Sequence, residues 1–322
     1  MAKARPREEV EPPELRPMAL RLAANWTSEP PEFVRNFANL VYRIRMDGEP
    51  AYLRITSSAR RSRAQVSSEL AMIQHLTDRG VSVARPIEGG DGQLLAEDAA
   101  DGSVYVACVF EEAIGNFYER ADTATETAFF SEAGRTLARI HNGLDTFKPD
   151  ADFERFPWRA DLWHEFEELV PKREVAAWTF FDELNAWVSS LDANSPAFGL
   201  IQGDFTIMNL RILPRRVTAF DFDASCEHWR AYDIACFLHF FGARPERERM
   251  LAYGSFLSGY AEARMLDRDV LEQIPMFGKM RLLYSYLVFA KEWGFENLTP
   301  EQERYFEVRR RLFVEPPTWP GS

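Results

Sequence analysis

The segment Leu200–Asp223, LIQGDFTIMNLRILPRRVTAFDFD, decides how the rest of the chain is read. Asp204 is followed five positions later by Asn209, and Asp221 and Asp223 flank Phe222. Apolar Leu200 and Ile201 lead into a hydrophilic loop. A second apolar run, with Val217, Ala219 and Phe220, then stops abruptly at the carboxylate of Asp221.

These residue types suit phosphoryl transfer. A transferred phosphoryl group needs its negative charge neutralised, and magnesium does this with one or two carboxylates, an amide oxygen and retained waters. The acceptor hydroxyl needs a positioned carboxylate to orient it and take its proton. Asp204 fits the role of base, while Asn209 and the strand-end Asp221 fit that of magnesium ligands. Asp223 either joins the metal shell or holds the loop. The competing reading is an Asx-turn loop followed by a strand that ends in a polar turn. An Asp-x4-Asn pair alone is common, but with the apolar strand and Asp-Phe-Asp behind it the pattern is far more specific.

Composition narrows the classes. The 322 residues are enough for one large domain or two lobes. With 46% hydrophobic and 13% aromatic residues a real core is available, so wholesale disorder is excluded. A formal charge of -12 argues against nucleic acid as a partner, because phosphate contacts need a basic surface. That charge would suit a cationic small substrate. Cys108, Cys226 and Cys236 are odd in number and lack metal-type spacing, so they are expected as buried thiols in a reducing compartment. No run of about eighteen apolar residues predicts a membrane span. The start, MAKARPREEVEPPELRP, lacks the apolar core of a signal peptide, which makes the cytoplasm the expected compartment.

Residues 1–17 read as a loose arm and 18–28 as a short helix. Leu40–Met46 and Ala51–Ile55 alternate as strands about an Asp47-Gly48 turn. Ser62–Arg79 has helical periodicity, with Gly80 as its C-cap. Residues 81–87 and 93–97 read as short extended segments, and Val104–Phe110 as a buried strand. Glu111, Glu112 and Ala113 then leave it as a hinge. Helices are expected over 124–143, over 162–191 with a break near Pro171, and over 232–242, 245–264, 268–293 and 300–313. Pro245 and Pro300 suit first-turn positions. His228 has no second His or Cys at ligand spacing.

On these residues the chain resembles the aminoglycoside phosphotransferase family, the phosphotransferase enzymes of kinase-like fold. The resemblance covers about residues 34–240. It rests on N-L-V-Y at 39–42, Y-L-R-I at 52–55, Ser68-Glu69-Leu70, and G-R-T-L-A-R-I-H at 134–141. Q-G-D-F-T-I-M-N at 202–209, F-D-F-D at 220–223 and A-Y-D-I-A at 231–235 complete it. The resemblance implies an α+β, two-lobed, protein-kinase-like fold, with a small antiparallel-sheet N-lobe over 18–112 and a larger, mostly helical C-lobe over 113–322. It implies ATP or GTP as donor, magnesium as cofactor and a small-molecule hydroxyl as acceptor, in a monomer or homodimer. By carry-over Asp204 is the base, and Asn209 and Asp221 bind magnesium, with Asp223 a further candidate metal residue. Arg54, Glu69, Asn39, Phe110, Glu111 and Ala113 belong to the nucleotide site. Asp233 anchors the loop.

Three departures from the family pattern stand out. Gln202 replaces a His, the loop Arg35-Asn36-Phe37-Ala38 lacks glycine, and Arg54 stands where a nucleotide-binding Lys is expected. Arg60, Arg61 and Arg63 follow that strand as a basic cluster. Glu227, Trp229, Tyr284, Glu292 and Trp293 are the expected acceptor lining, acidic and aromatic as an amine would require. The alternative function, motivated by the departures together, is a catalytically impaired pseudokinase or a nucleotide-sensing interaction module.

Overall fold

The computed structural model describes residues 10–158 and 163–318. Residue 162, where a helix is expected to start, lies outside them, as do most of the expected N-terminal arm and the last four residues of the tail. The chain forms two compact units. The first holds Met1–Gly115, Thr146–Arg155 and Thr218–Asp223, and the second holds Asn116–Asp145, Phe156–Val217 and Ala224–Ser322.

The first unit is built on an antiparallel sheet. Its elements are α1 (Arg16–Ala23), β1 (Glu32–Asn36), β2 (Leu40–Met46), β3 (Glu49–Ser57), α2 (Arg63–Asp78), β4 (Pro86–Ile87), β5 (Ala96–Ala100) and β6 (Ser103–Glu111). The strand order is β1-β2-β3-β6-β4, with β5 also paired to β6. Strand β2 shows why the alternation dictates a half-buried strand: Leu40, Tyr42 and Ile44 go into the core while Arg43 and Arg45 face out. The β2–β3 turn has Asp47 and Gly48 both at positive φ, 52° and 85°, as a two-residue hairpin with matching twist requires. Strands β3 and β6 run side by side, placing Arg54 opposite Cys108.

Here the structure corrects the expected glycine-free loop. Arg35 and Asn36 are not loop residues but the end of β1, paired with Val41 and Leu40 past a bulge. The pairing gives their backbone groups partners, and the connection shrinks to Phe37–Asn39. Helix α2 starts at a capping box in which Ser62 and Gln65 satisfy each other's backbone N–H groups.

The second unit is mostly helical. It contains α3 (Thr123–Asp145), α4 (Phe166–Leu169), α5 (Val175–Ser189), β7 (Phe198–Ile201), β8 (Leu210–Leu213), β9 (Arg216–Ala219, whose last two residues fall in the first unit), β10 (Cys226–Trp229), α6 (Ala231–His239), α7 (Glu246–Ala261), α8 (Arg268–Trp293) and α9 (Pro300–Val314). The break expected near Pro171 separates α4 from α5. Pro300 takes the first turn of α9, whereas Pro245 is one residue earlier than expected, at the N-cap of α7. Strand β10 pairs antiparallel with β7. Among the described residues no helix is long and apolar enough to cross a membrane.

Helices α3 and α7 touch backbone to backbone through paired glycines. A Cβ on Gly134 would lie 2.0 Å from the Phe256 carbonyl oxygen, and one on Gly259 would lie 1.8 Å from that of Ser131. Gly254, on the same helix α7, has nothing within 4 Å of such a Cβ. Gly259→Ala is therefore expected to destabilise the protein by about 2 kcal/mol or more, because two helix backbones must part. Gly254→Ala should instead raise stability by about 0.5–1 kcal/mol through helix propensity. Urea unfolding of the two variants tests the contrast; equal effects would contradict the close crossing.

Candidate active site

The loop after β7 is shaped by a buried carboxylate. Asp233, in the first turn of α6 and fully buried, accepts from the backbone N–H of Gln202 at 2.9 Å and of Gly203 at 2.8 Å. His141 on α3 donates from Nε2 to the same carboxylate at 3.1 Å, and its Nδ1 accepts from the Tyr260 hydroxyl at 2.8 Å. Burial pushes the His141 ring below its ordinary value, against the pull of Asp233, so the ring is neutral and this tautomer fits both partners. Gly203 has φ of 85°, and a Cβ there would meet the Ala224 carbonyl oxygen at 2.1 Å. Only glycine fits that bend. Gln202 turns its side chain back, and its Oε1 accepts from the Asp204 N–H at 2.7 Å.

Phe205 and Ile207 bury their side chains beneath the loop, leaving Asp204 and Met208 facing outward. A short 3-10 turn at Ile207–Asn209 brings Asn209 back under Asp204. Asn209 Nδ2 donates to Asp204 Oδ2 at 2.8 Å and to the Asp204 carbonyl at 3.1 Å. This fixes the amide so that its Oδ1, a hard oxygen of the kind magnesium takes, points away from Asp204. The other carboxylate oxygen, Oδ1, lies 2.7 Å from a guanidinium nitrogen of Arg281 on α8. Burial raises the Asp204 carboxyl above its ordinary value, and Arg281 and Asn209 oppose that rise. Sequence reasoning missed Arg281. Its only sequence signal is a cation in the otherwise apolar MRLLYSYL stretch of a helix far down the chain.

In the first unit, Asp221 has φ of 62°, the left-handed conformation that a carboxylate residue adopts at some cost. Its Oδ2 lies 3.2 Å from Arg35. Asp223 is nearly buried and ion-paired with Arg60 and Arg61. Burial would raise its carboxyl, but Arg54, Arg60 and Arg61 outweigh burial and hold it well below the carboxylate range. Arg155 ties the segment down, donating to the carbonyls of Asp223 and Gln65 at 2.8 Å each. The fork of Arg54 is bidentate to Glu69, with both N–O distances 2.8 Å and both residues buried. Its guanidinium lies 5.1 Å from the Phe110 ring centre. Buried Asn39 accepts from Thr56 at 2.8 Å and Arg60 at 3.3 Å. Glu111 pairs with Arg85, and Ala113 lies partly exposed just beyond β6.

The second unit holds an aromatic pocket beside Gly203. Phe156, Trp158, Trp163, His228, Tyr232 and Tyr284 supply most of its wall, around a cavity of about 50 Å3. Of the expected acceptor residues only Tyr284 lines it. The Glu227 side chain projects from β10 to solvent, Glu292 is exposed, and Trp293 packs on Phe289 with ring centres 4.4 Å apart. Trp229 is buried, its indole N–H donating to the Asp192 carbonyl. No carboxylate lines this pocket among the described residues.

Residues 31–266 match the model of the phosphotransferase enzyme family. The chain is 26% identical over 288 residues to the amicoumacin kinase of Bacillus subtilis (strain 168), covering 87% of this chain and 85% of that one. It is similar to the solved amicoumacin kinase hAmiN, a complex with AMP-PNP, Ca2+ and Ami. The TM-score is 0.85 at 24% identity, over 94% of both chains. A microcompartment-associated aminopropanol kinase shares the fold with a TM-score of 0.75 at 18% identity, over 92% of this chain and 94% of that one. The chain belongs to the phosphotransferase enzyme family. The kinase-like fold expected from the sequence is the one found.

The pocket histidine gives a pH signature. Burial lowers the His228 ring to about 3, below its value of roughly 6.5 in an unfolded chain. Between these values the unfolded state binds one more proton, so stability rises with pH through the window and the contribution is complete above it. His228→Phe should flatten the stability-versus-pH slope between about pH 4 and 6 by about 1.4 kcal/mol per pH unit. An unchanged slope in urea titrations across that range would show that His228 is charged in the native protein.

Proposed function

We propose that the protein moves the γ-phosphoryl group of a nucleoside triphosphate, with magnesium, to a hydroxyl of a small amino alcohol or a compound that carries one. The observation that carries this reading is the held carboxylate of Asp204. One oxygen is fixed by Asn209 and the other by Arg281, on a loop that Asp233 clamps from beneath. A base so fixed can orient an incoming hydroxyl and take its proton as the phosphoryl group is transferred in line.

The donor set suits magnesium. Asn209 Oδ1 and the Asp221 carboxylate are hard oxygens, and a metal that keeps its waters and binds phosphates needs few protein ligands. Bound there, magnesium would neutralise charge on the transferring group. Asp223 is the weaker metal candidate. Its charge is already met by arginines, so it serves better to hold the strand end that presents Asp221. Arg54, locked on Glu69, supplies fixed positive charge where the family places a lysine, and Asn39, Phe110, Glu111 and Ala113 complete the nucleotide residues. The neighbour named for aminopropanol supports an acceptor with an amine near its hydroxyl.

Asp204→Ala should lower kcat by about a thousandfold, while the nucleotide still raises thermal stability. Asp221→Asn should abolish the magnesium-dependent part of that stabilisation. In the parent protein that part should reach about 2.7 kcal/mol at a hundredfold excess over Kd. Turnover surviving in Asp204→Ala would remove it as the base. A parent protein whose melting responds to neither ATP nor GTP with magnesium would overturn the donor assignment.

A further inference from the structure

His228 is 2% exposed and lines the pocket together with Gly203, the residue bonded to Asp204. Its Nδ1 lies 2.8 Å from the Trp229 backbone N–H. A backbone N–H can only donate, so Nδ1 accepts and the proton of the neutral ring resides on Nε2. The longer contact from Nδ1 to the Trp229 carbonyl, 3.4 Å, does not compete with it. No described residue accepts from Nε2. The ring is wedged among aromatics, with centre distances of 4.4 Å to Tyr232, 4.9 Å to Trp158 and 5.3 Å to Phe277, so it cannot swing to seek a partner. A donor without a described acceptor thus stands in the wall of a cavity beside the proposed base, where a ligand can meet it.

We infer that this pocket is an acceptor subsite for an uncharged, carbon-rich group bearing an oxygen, hydroxyl or carbonyl, that accepts from His228 Nε2. The aromatic walls supply apolar contact, and the histidine supplies a directed polar contact. An ammonium fits badly. It has no lone pair for Nε2–H, and among the described lining residues no carboxylate would offset its desolvation. Aromatic faces do attract cations, but here that attraction must work against a facing donor. The amine of an amino-alcohol acceptor would then lie outside this pocket, with its oxygenated end inside. The inference deepens the proposed function and rests on Asp204 being the base.

The test uses the whole protein without nucleotide or metal, so it is independent of turnover. Three probes that share a benzyl frame are titrated: benzyl alcohol, toluene and benzylammonium. Binding is read by ligand-observed NMR and by the 15N-labelled imidazole signal of His228 Nε2–H. Benzyl alcohol should bind about fivefold to tenfold more tightly than toluene and shift the Nε2–H signal, with benzylammonium weakest. In His228→Phe, which keeps the ring and loses the donor, the preference for the alcohol should vanish. Tighter binding of benzylammonium, a preference that persists in His228→Phe, or no binding of any probe would each overturn the inference. The wild-type imidazole signal reports the contact even if the variant folds poorly. Loss of phosphotransfer in the Asp204 and Asp221 experiments with normal probe binding would fault the functional reading alone.

Discussion

The carboxylate of Asp233 is buried without access to water, and it is tolerable there because both its oxygens are hydrogen-bonded. Two backbone N–H groups of the Gln202–Gly203 turn and the imidazole of His141 donate to it. A buried anion stripped of such partners costs several kcal/mol, so the turn cannot drift without exposing that cost. The constraint runs in both directions. Asp233 needs the turn as its solvation, and the turn, bent through Gly203 at positive φ, needs Asp233 to stay bent. Everything that Asp204 does follows from this clamp, since Asp204 is the next residue. Gln202 fits the same logic. Where the family has a histidine, an amide oxygen here accepts from the Asp204 N–H, which requires a neutral acceptor and no charge.

The first unit solves its charge problem with arginines. Asp221, Asp223 and Glu69 meet Arg35, Arg60, Arg61 and Arg54. The guanidinium fork matches a carboxylate in two places at once, as the Arg54–Glu69 pair shows, and it remains charged at every relevant pH. A lysine could hold Glu69 by only one nitrogen. The replacement of lysine by arginine on β3 is therefore compatible with a rigid pair, and the stack on Phe110 uses the planarity that only arginine offers. The glycine-free connection between β1 and β2 agrees with the pairing found there. Arg35 and Asn36 extend the strand, and Arg35 reaches Asp221 with its side chain.

What the sequence made legible was local. The Asp47-Gly48 hairpin and the bounds of α8 depend on neighbours a few residues apart, and spacing alone expresses them. The Asp204–Asn209 contact was legible for the same reason, because a loop of five residues brings the two together. What stayed hidden depends on long-range packing. Arg281 meets Asp204 across the unit, and Arg60 meets Asp223 across 163 residues of chain. Glu227 is not among the described residues lining the aromatic pocket because β10 turns it outward, while its neighbours on either side, Cys226 and His228, line that pocket. Side-chain alternation along a strand decides this, and the register of β10 against β7 is set by pairing that no local pattern announces.

The two partners of Asp204 also bear on how the base proposed here would work. Taking a proton from an acceptor hydroxyl would neutralise the carboxylate and leave the largely buried guanidinium of Arg281 without its counter-charge. An uncompensated cation in that position is expensive, so early and complete proton transfer to Asp204 is disfavoured. Phosphoryl transfer does not require it. In a loose transition state the nucleophile needs orientation and exclusion of competing water more than it needs to be an alkoxide, and the proton can leave late. By that stage the phosphorylated product carries negative charge of its own. The same ion pair that makes Asp204 a reluctant acid-base group makes it a rigid one, and rigidity is what an orienting base contributes.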